Sequence, residues 1–167
     1  RSMRFLSLLT LLMVFLSGCS SQPEQPLPYP FTVTLDVADN VNPYGTGSAH
    51  PVVVRIYQLS ETGQFKNASF LELYNKDRDT LGNALVDVLN LQPLAQGEHQ
   101  VELDLQPGSR YLGVFAEFAN YTDAESKAVI TLLPDQSDQE DQIIRINLNG
   151  LKISIEQYED KAWWQVF

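Results

Sequence analysis

From Phe31 onward, apolar residues fall mostly at every second position. Phe31, Val33, Leu35 and Val37 alternate with Thr32, Thr34 and Asp36, the pattern of a strand with one buried face. Pro51 to Leu59 is a denser strand, with Val52, Val54 and Ile56 on one side and Val53, Arg55 and Tyr57 on the other. Val101, Leu103 and Leu105 alternate with Glu102 and Asp104. Between Arg110 and Ala119, Leu112, Val114, Ala116 and Phe118 share one face while Tyr111, Phe115 and Glu117 share the other, so this strand is expected to be central and covered in part. Ala128 to Leu133 is shorter. Ile144, Ile146 and Leu148, then Leu151, Ile153 and Ile155, form two alternating runs around Asn149-Gly150, a pair that predicts a type I′ hairpin turn. One stretch breaks the period. Ser69-Phe70-Leu71-Glu72 has the spacing of a helix capping box, Asn67 is a competing cap, and Phe70, Leu73 and Tyr74 line one helical face. A second helical turn fits Thr80 to Leu85. Seven to eight short strands with Gly, Pro and Asn punctuation predict an all-β, two-sheet antiparallel sandwich with one short inserted helix.

The first residues follow another rule. Met3-Arg4 precedes a mostly apolar run, Phe5 to Leu16, and then Leu16-Ser17-Gly18-Cys19. A charged start, a short apolar centre and small residues before a cut site make a secretory signal peptide. The run is shorter than the roughly 20 residues a membrane-spanning helix needs. Leu-Ser-Gly-Cys resembles a bacterial lipobox, in which the thiol takes a diacylglycerol and the freed amine is acylated. On this reading 1–18 is a lipoprotein signal peptide, 19–30 a lipidated Cys19 with a tether, and 31–167 one β-sandwich domain. The prolines at 23, 26, 28 and 30 forbid helix in the tether and favour polyproline II. In the lipoprotein class, Ser20 rather than Asp after the lipidated Cys permits export to the outer membrane.

Composition narrows the function. Loss of residues 1–18 removes Arg1 and Arg4 and no acid, which moves the net charge from -10 to -12. An acidic chain without a basic run is a poor ligand for nucleic acid or for anionic headgroups. Membrane attachment must then come from acyl chains, each buried CH₂ adding about 0.8 kcal/mol. Cys19 is the only cysteine, so no internal disulfide is available, and the domain must stand on its apolar core. Catalytic patterns are absent. His50 and His99 are isolated and read as solvated loop residues, too few for a zinc site. Asn75-x-Asp77-x-Asp79 opens like a calcium loop but has Thr80 and Val86 where Gly and Glu belong. Asp135, Asp138, Glu140 and Asp141 read as a solvated acidic loop. We expect no enzyme, no metal, no small-molecule substrate and no cofactor beyond the covalent lipid.

Two segments suggest binding. The connection between the first two strands carries Asn40, Val41, Asn42, Pro43, Tyr44, Gly45, Thr46 and Gly47. It is long against the two to five residues usual between neighbouring strands, and its centre offers a tyrosine, a residue enriched at interfaces. The second is the C-terminus, where Trp163, Trp164 and Phe167 fall within six residues, giving a possible second contact at Trp163 and Trp164.

The lipobox, the Pro-rich tether, the Asn-rich loop and Pro51-Val52-Val53-Val54-Arg55-Ile56-Tyr57-Gln58-Leu59 together resemble the TssJ (SciN) family, outer-membrane lipoproteins of type VI secretion systems. Phe65, Ala68-Ser69-Phe70, Leu73-Tyr74, Leu81-Gly82, Pro107-Gly108 and Tyr111-Leu112-Gly113-Val114 extend the resemblance in order. The resemblance implies a transthyretin-like sandwich and a non-catalytic role in a Gram-negative bacterium. Such proteins sit on the periplasmic face of the outer membrane and bind the periplasmic C-terminal region of TssM, which associates with TssL. The loop from Asn40 to Gly47 would carry that contact. The alternative from another class is a periplasmic ligand-binding or inhibitor lipoprotein.

Overall fold

The computed structural model describes residues 28–132 and 142–159. The leader with Cys19, nearly all of the tether, the acidic run from Asp135 to Asp141, and Trp163 and Trp164 lie outside the described residues. Among the described residues, eight strands form two four-stranded sheets. The first holds β4 (Gly97–Leu105), β1 (Tyr29–Val37), β7 (Gln142–Asn149) and β8 (Lys152–Glu159), in that order. The second holds β3 (Leu85–Asn90), β2 (Val54–Leu59), β5 (Tyr111–Ala116) and β6 (Lys127–Thr131). The inward positions of both sheets make the main core. Val33, Leu35, Val54, Ile56, Leu112, Val114 and Ile146 are all buried there, at the alternating positions the sequence marks.

The second sheet is apolar on both faces. Its outer side carries Tyr57, Leu59 and Phe115, which pack with Phe65, Ala68, Leu73 and Leu81 from two helices, α1 (Gly63–Asn67) and α2 (Phe70–Leu81). Gly113 on that face lets Phe65 approach, since a Cβ would lie 3.1 Å from both the Phe65 ring and Leu59 Cδ1. The predicted capping box is present: Ser69 Oγ accepts from Glu72 N, and Glu72 Oε2 accepts from Ser69 N. Burial under the helices also explains a strand the periodicity does not reveal. β3 reads Leu85-Val86-Asp87-Val88-Leu89-Asn90, with Leu89 on the inner core and Leu85 and Val88 on the outer cluster. A strand covered on both sides loses its period-two signature. The helical turn expected over Thr80 to Leu85 is a 3₁₀ turn, Gly82–Ala84, that leads directly into β3. The separate short helix α1 carries no sequence signal beyond Phe65.

Two further details differ from expectation. The strands are antiparallel except that β7 returns parallel to β1, pairing Val33 with Ile144 and Val37 with Leu148. The last hairpin is a two-residue turn of Gly150-Leu151 between the paired Asn149 and Lys152. Only Gly150 (φ 57°) has positive φ there, so the turn is not type I′, and glycine takes the first loop position as in type II′.

Register fixes which connections share an end. Val37 pairs with Gly97 and Leu148, Arg55 with Asn90, and Val54 with Ala116. The β1–β2, β3–β4, β5–β6 and β7–β8 connections therefore lie together. Tyr29, paired with Leu105, and Glu159, paired with Gln142, lie at the opposite end.

Candidate functional site

The β1–β2 connection has two parts. Asn40 to Asn42 are rivets. Asn40 Nδ2 donates to Asn149 Oδ1 (3.0 Å) and Asn40 Oδ1 accepts from Gly150 N (3.0 Å). Val41 is buried in the main core. Asn42 is 4% exposed and adopts a left-handed φ of 49°, a conformation asparagine tolerates better than most residues. Its backbone N donates to Gly150 O (2.8 Å), its Nδ2 donates to Pro51 O (3.1 Å), and its Oδ1 accepts from Ala119 N (2.9 Å). One residue thus ties the β1–β2, β5–β6 and β7–β8 connections together.

Beyond it, Tyr44, Gly45, Thr46 and Gly47 stand on the surface, with Pro43 half-buried at their base. Tyr44 and Ser48 pair across a miniature hairpin, and Gly45 and Gly47 take the positive φ values its tight reversal requires. Tyr44 is 45% exposed, yet its ring is not loose: it stacks on His50 with centroids 3.5 Å apart and planes 16° from parallel. His50 is therefore a half-buried ring platform rather than the solvated loop residue expected. The segment is a rigid pedestal under an exposed tyrosine-bearing tip.

A second feature adjoins it through Ala119. Arg55 on the outer face of β2 clamps α2. Its Nε donates to Glu117 Oε1 (2.7 Å), its Nη1 to Leu73 O (2.9 Å) and Asp77 Oδ2 (3.1 Å), and its Nη2 to Tyr74 O (3.1 Å) and Glu117 Oε1. Tyr57 Oη donates to the same Asp77 oxygen (2.9 Å). Burial works to raise the Asp77 pKa, but the bonds from Tyr57, the Arg78 backbone and Arg55 prevail and hold it below its ordinary value. Burial, then the bond to Asp77, pushes the Tyr57 hydroxyl well above its ordinary pKa. The helix breaks at Lys76 (φ −153°, ψ 47°), directly before Asp77. At the other end, the half-buried Lys127 Nζ donates to the carbonyls of Phe65 (3.1 Å), Lys66 (3.0 Å) and Ala68, holding the exit of α1; partial burial lowers its pKa.

Between α2 and the β5–β6 connection lies a groove of about 310 Å³. Phe70 stacks between Tyr121 (4.4 Å, 8°) and Tyr74 (5.8 Å, 13°) and leans on Phe115. The predicted stripe of Phe70, Leu73 and Tyr74 is thus only partly core: Leu73 is fully buried, but Tyr74 is 48% exposed. No sequence signal singled out Leu71 or Tyr121, because each is an isolated residue whose partners come from other elements.

A profile of the T6SS-SciN family, described as type VI secretion lipoprotein (VasD, EvfM, TssJ), matches residues 30–156. No curated protein sequence matches significantly. Among solved structures, the T6SS lipoprotein TssJ1 from Pseudomonas aeruginosa is 28% identical, with a TM-score of 0.66 over 78% of this chain and 97% of that one. Serratia marcescens Lip, described as a membrane-bound component of the type VI secretion system, is 21% identical, with a TM-score of 0.66 over 80% and 100%. A chain in a structure of the TssM C-terminal domain from EAEC is 20% identical, with a TM-score of 0.62 over 76% and 97%. The sandwich is the TssJ fold, the family is one of structural secretion lipoproteins rather than enzymes, and the chain belongs to the type VI secretion lipoprotein (TssJ) family.

Proposed function

We propose that this protein is an outer-membrane-anchored structural lipoprotein of the type VI secretion membrane complex. It is held on the periplasmic face by acyl chains on Cys19, and it binds the periplasmic C-terminal region of TssM, and through it TssL, with the tip of the β1–β2 connection. The observation that carries the reading is the polarity of the sandwich. Residues 19–28 lead into Tyr29 at one end, and the Tyr44 tip stands on a hydrogen-bonded pedestal at the other. A body leashed at one end offers a pre-organised patch at the other, which lowers the ordering cost of binding. Family membership and the occurrence of a similarly folded chain in a TssM structure agree with it.

On this reading the loop residues divide into two groups. Pro43, Tyr44, Gly45, Thr46 and Gly47 meet the partner, and Asn40, Val41 and Asn42 hold them in place. Tyr44→Ala should weaken capture of the TssM periplasmic region about tenfold or more, as loss of an interface tyrosine does, and leave the thermal midpoint unchanged. Unchanged capture would remove the loop from the interface. Cys19→Ser should move the protein from the membrane fraction to the soluble periplasm.

A further inference from the structure

The β7–β8 turn holds a chemically labile pair, and the β1–β2 connection closes over it. Asn149 is the chain's only asparagine that precedes a glycine. An asparagine is consumed when the next residue's main-chain nitrogen attacks its side-chain carbonyl. A following glycine leaves that nitrogen most open, because no Cβ shields it. Asn149 stands on the surface, where water, the other reactant, is at hand. Yet both reacting groups are occupied by one side chain from a different element. Asn40 Oδ1 accepts from Gly150 N (3.0 Å), the nucleophile, and Asn40 Nδ2 donates to Asn149 Oδ1 (3.0 Å), on the carbonyl that would be attacked. The second bond alone would polarise the carbonyl and favour attack. The first decides the balance, because the nitrogen reacts only after losing the proton that Asn40 Oδ1 holds in place. Attack also requires the Asn149 side chain to turn back onto the nitrogen of Gly150, and both bonds must break for that. The turn is tied on its other sides as well. Gly150 O accepts from Asn42 N (2.8 Å), Leu151 O from Glu125 N (2.8 Å) and Leu148 O from Ala38 N (2.9 Å). Asn40 is thus a two-point clasp on a reactive pair, and the pair in turn supports Asn42, from which the Tyr44 tip rises.

We propose that Asn149 is a latent deamidation site that Asn40 keeps closed, and that its conversion frees the Tyr44 tip from its support. The inference does not depend on what the tip meets. When the clasp opens, the Gly150 nitrogen gives its proton to base and bonds to Asn149 Cγ. The side-chain nitrogen takes a proton and leaves as ammonia, and water then opens the cyclic imide. Asparagine and water have become aspartate and ammonia. Opening at the main-chain carbonyl gives isoaspartate instead, which adds a carbon to the main chain of a turn held between the paired Asn149 and Lys152. Gly150 O then shifts away from Asn42 N. In the test, the full chain in detergent is aged in mildly alkaline buffer, and conversion at Asn149 is followed by mass spectrometry of its peptides. The folded protein should convert more slowly than the same chain in urea. Asn40→Ala should speed conversion of the folded protein about tenfold, the order that two hydrogen bonds hold back. Asn40→Asp still accepts from Gly150 N and should stay near the parent rate. Asn42→Ala loosens the same connection without touching the pair, and should also stay near it when each variant is aged equally far below its thermal midpoint. Equal rates for folded and urea-treated chains, or an Asn40→Ala protein no faster than the parent, overturn the proposal. So does an Asn42→Ala protein as fast as Asn40→Ala, since protection would then be general rigidity. Where Asn40→Ala does not fold, an Asn40→Asp protein as fast as the urea-treated chain overturns it. Aged protein should also lose hydrogen-exchange protection at amides between residues 41 and 47. Unchanged protection there would overturn the link from turn to tip.

Discussion

Arg55 is the residue through which sheet and helix become one body. Its guanidinium meets two carboxylates and two main-chain carbonyls, with a side chain only 15% exposed. Removing one partner from such a cluster strands the others, so Arg55→Ala should cost about 3 kcal/mol in denaturant unfolding. Arg55→Lys should recover little of it, since one ammonium cannot reproduce the planar fork. Asp77 adds a pH dependence. Its folded pKa lies below the ordinary 3.8. Between that lowered value and 3.8 the unfolded chain binds more protons than the folded one, so stability rises with pH across the window and is lost as acid takes the protein through it. Asp77→Asn should flatten that acid limb of a stability profile measured from pH 6 to pH 2. Alternation in the sequence shows that Arg55 and Tyr57 share the strand face opposite Ile56. It does not show that Asp77, which lies in a helix, closes over them. The Asn75-x-Asp77-x-Asp79 pattern is no calcium loop, and the fold uses the Asp77 carboxylate as a clasp. Such pairings depend on tertiary approach, and neither spacing nor propensity encodes them.

At the scale of elements, legibility follows burial. β1, β7 and β8 belong to the sheet whose outer face no helix among the described residues covers, and their alternation is plain. β3 and α1, in the doubly covered sheet and its cover, carry no such pattern, whereas β2 and β5 of the same sheet keep theirs through dense apolar runs. The cap of α2 was visible because it is local, with Ser69 and Glu72 three residues apart. Ser69→Ala should cost about 1 kcal/mol. Because α2 forms one wall of the groove, native-state hydrogen exchange should show the loss first in its N-terminal turn. The β7–β8 turn offers a sharper check. Gly150 has φ 57° and open space around a would-be Cβ, with Asn40 Nδ2 nearest at 3.8 Å. Gly150→Ala should therefore cost about 1 kcal/mol through backbone strain rather than collision. Gly113→Ala meets the reverse situation: its backbone is ordinary, but the new methyl would press on Phe65 and Leu59. Its cost, about 1–3 kcal/mol, comes from overpacking and depends on whether α1 can give way.

At the scale of the whole molecule, the proposed anchor on Cys19 would turn the long axis of the sandwich into a direction. β1 is nine residues long, so its ends are about 30 Å apart at ~3.4 Å per residue. The ten residues from Cys19 to Pro28 add at most about 35 Å of reach before the first strand begins. If the acyl chains on Cys19 hold the protein, the Gln106–Arg110 turn, beside Tyr29, stays near the headgroups. The Tyr44 tip is then presented about a strand length further out. With Cys19 acylated, Thr46→Cys and Gln106→Cys each supply a single free thiol for a fluorophore. On vesicles carrying headgroup quencher, the label at 106 should be quenched more strongly than the label at 46. Lengthening the tether with Gly-Ser repeats should then reduce quenching at 106, because a longer flexible linker lets the whole body move away. Equal quenching at both positions would mean that the sandwich lies on its side, so that the tip does not point into the periplasm.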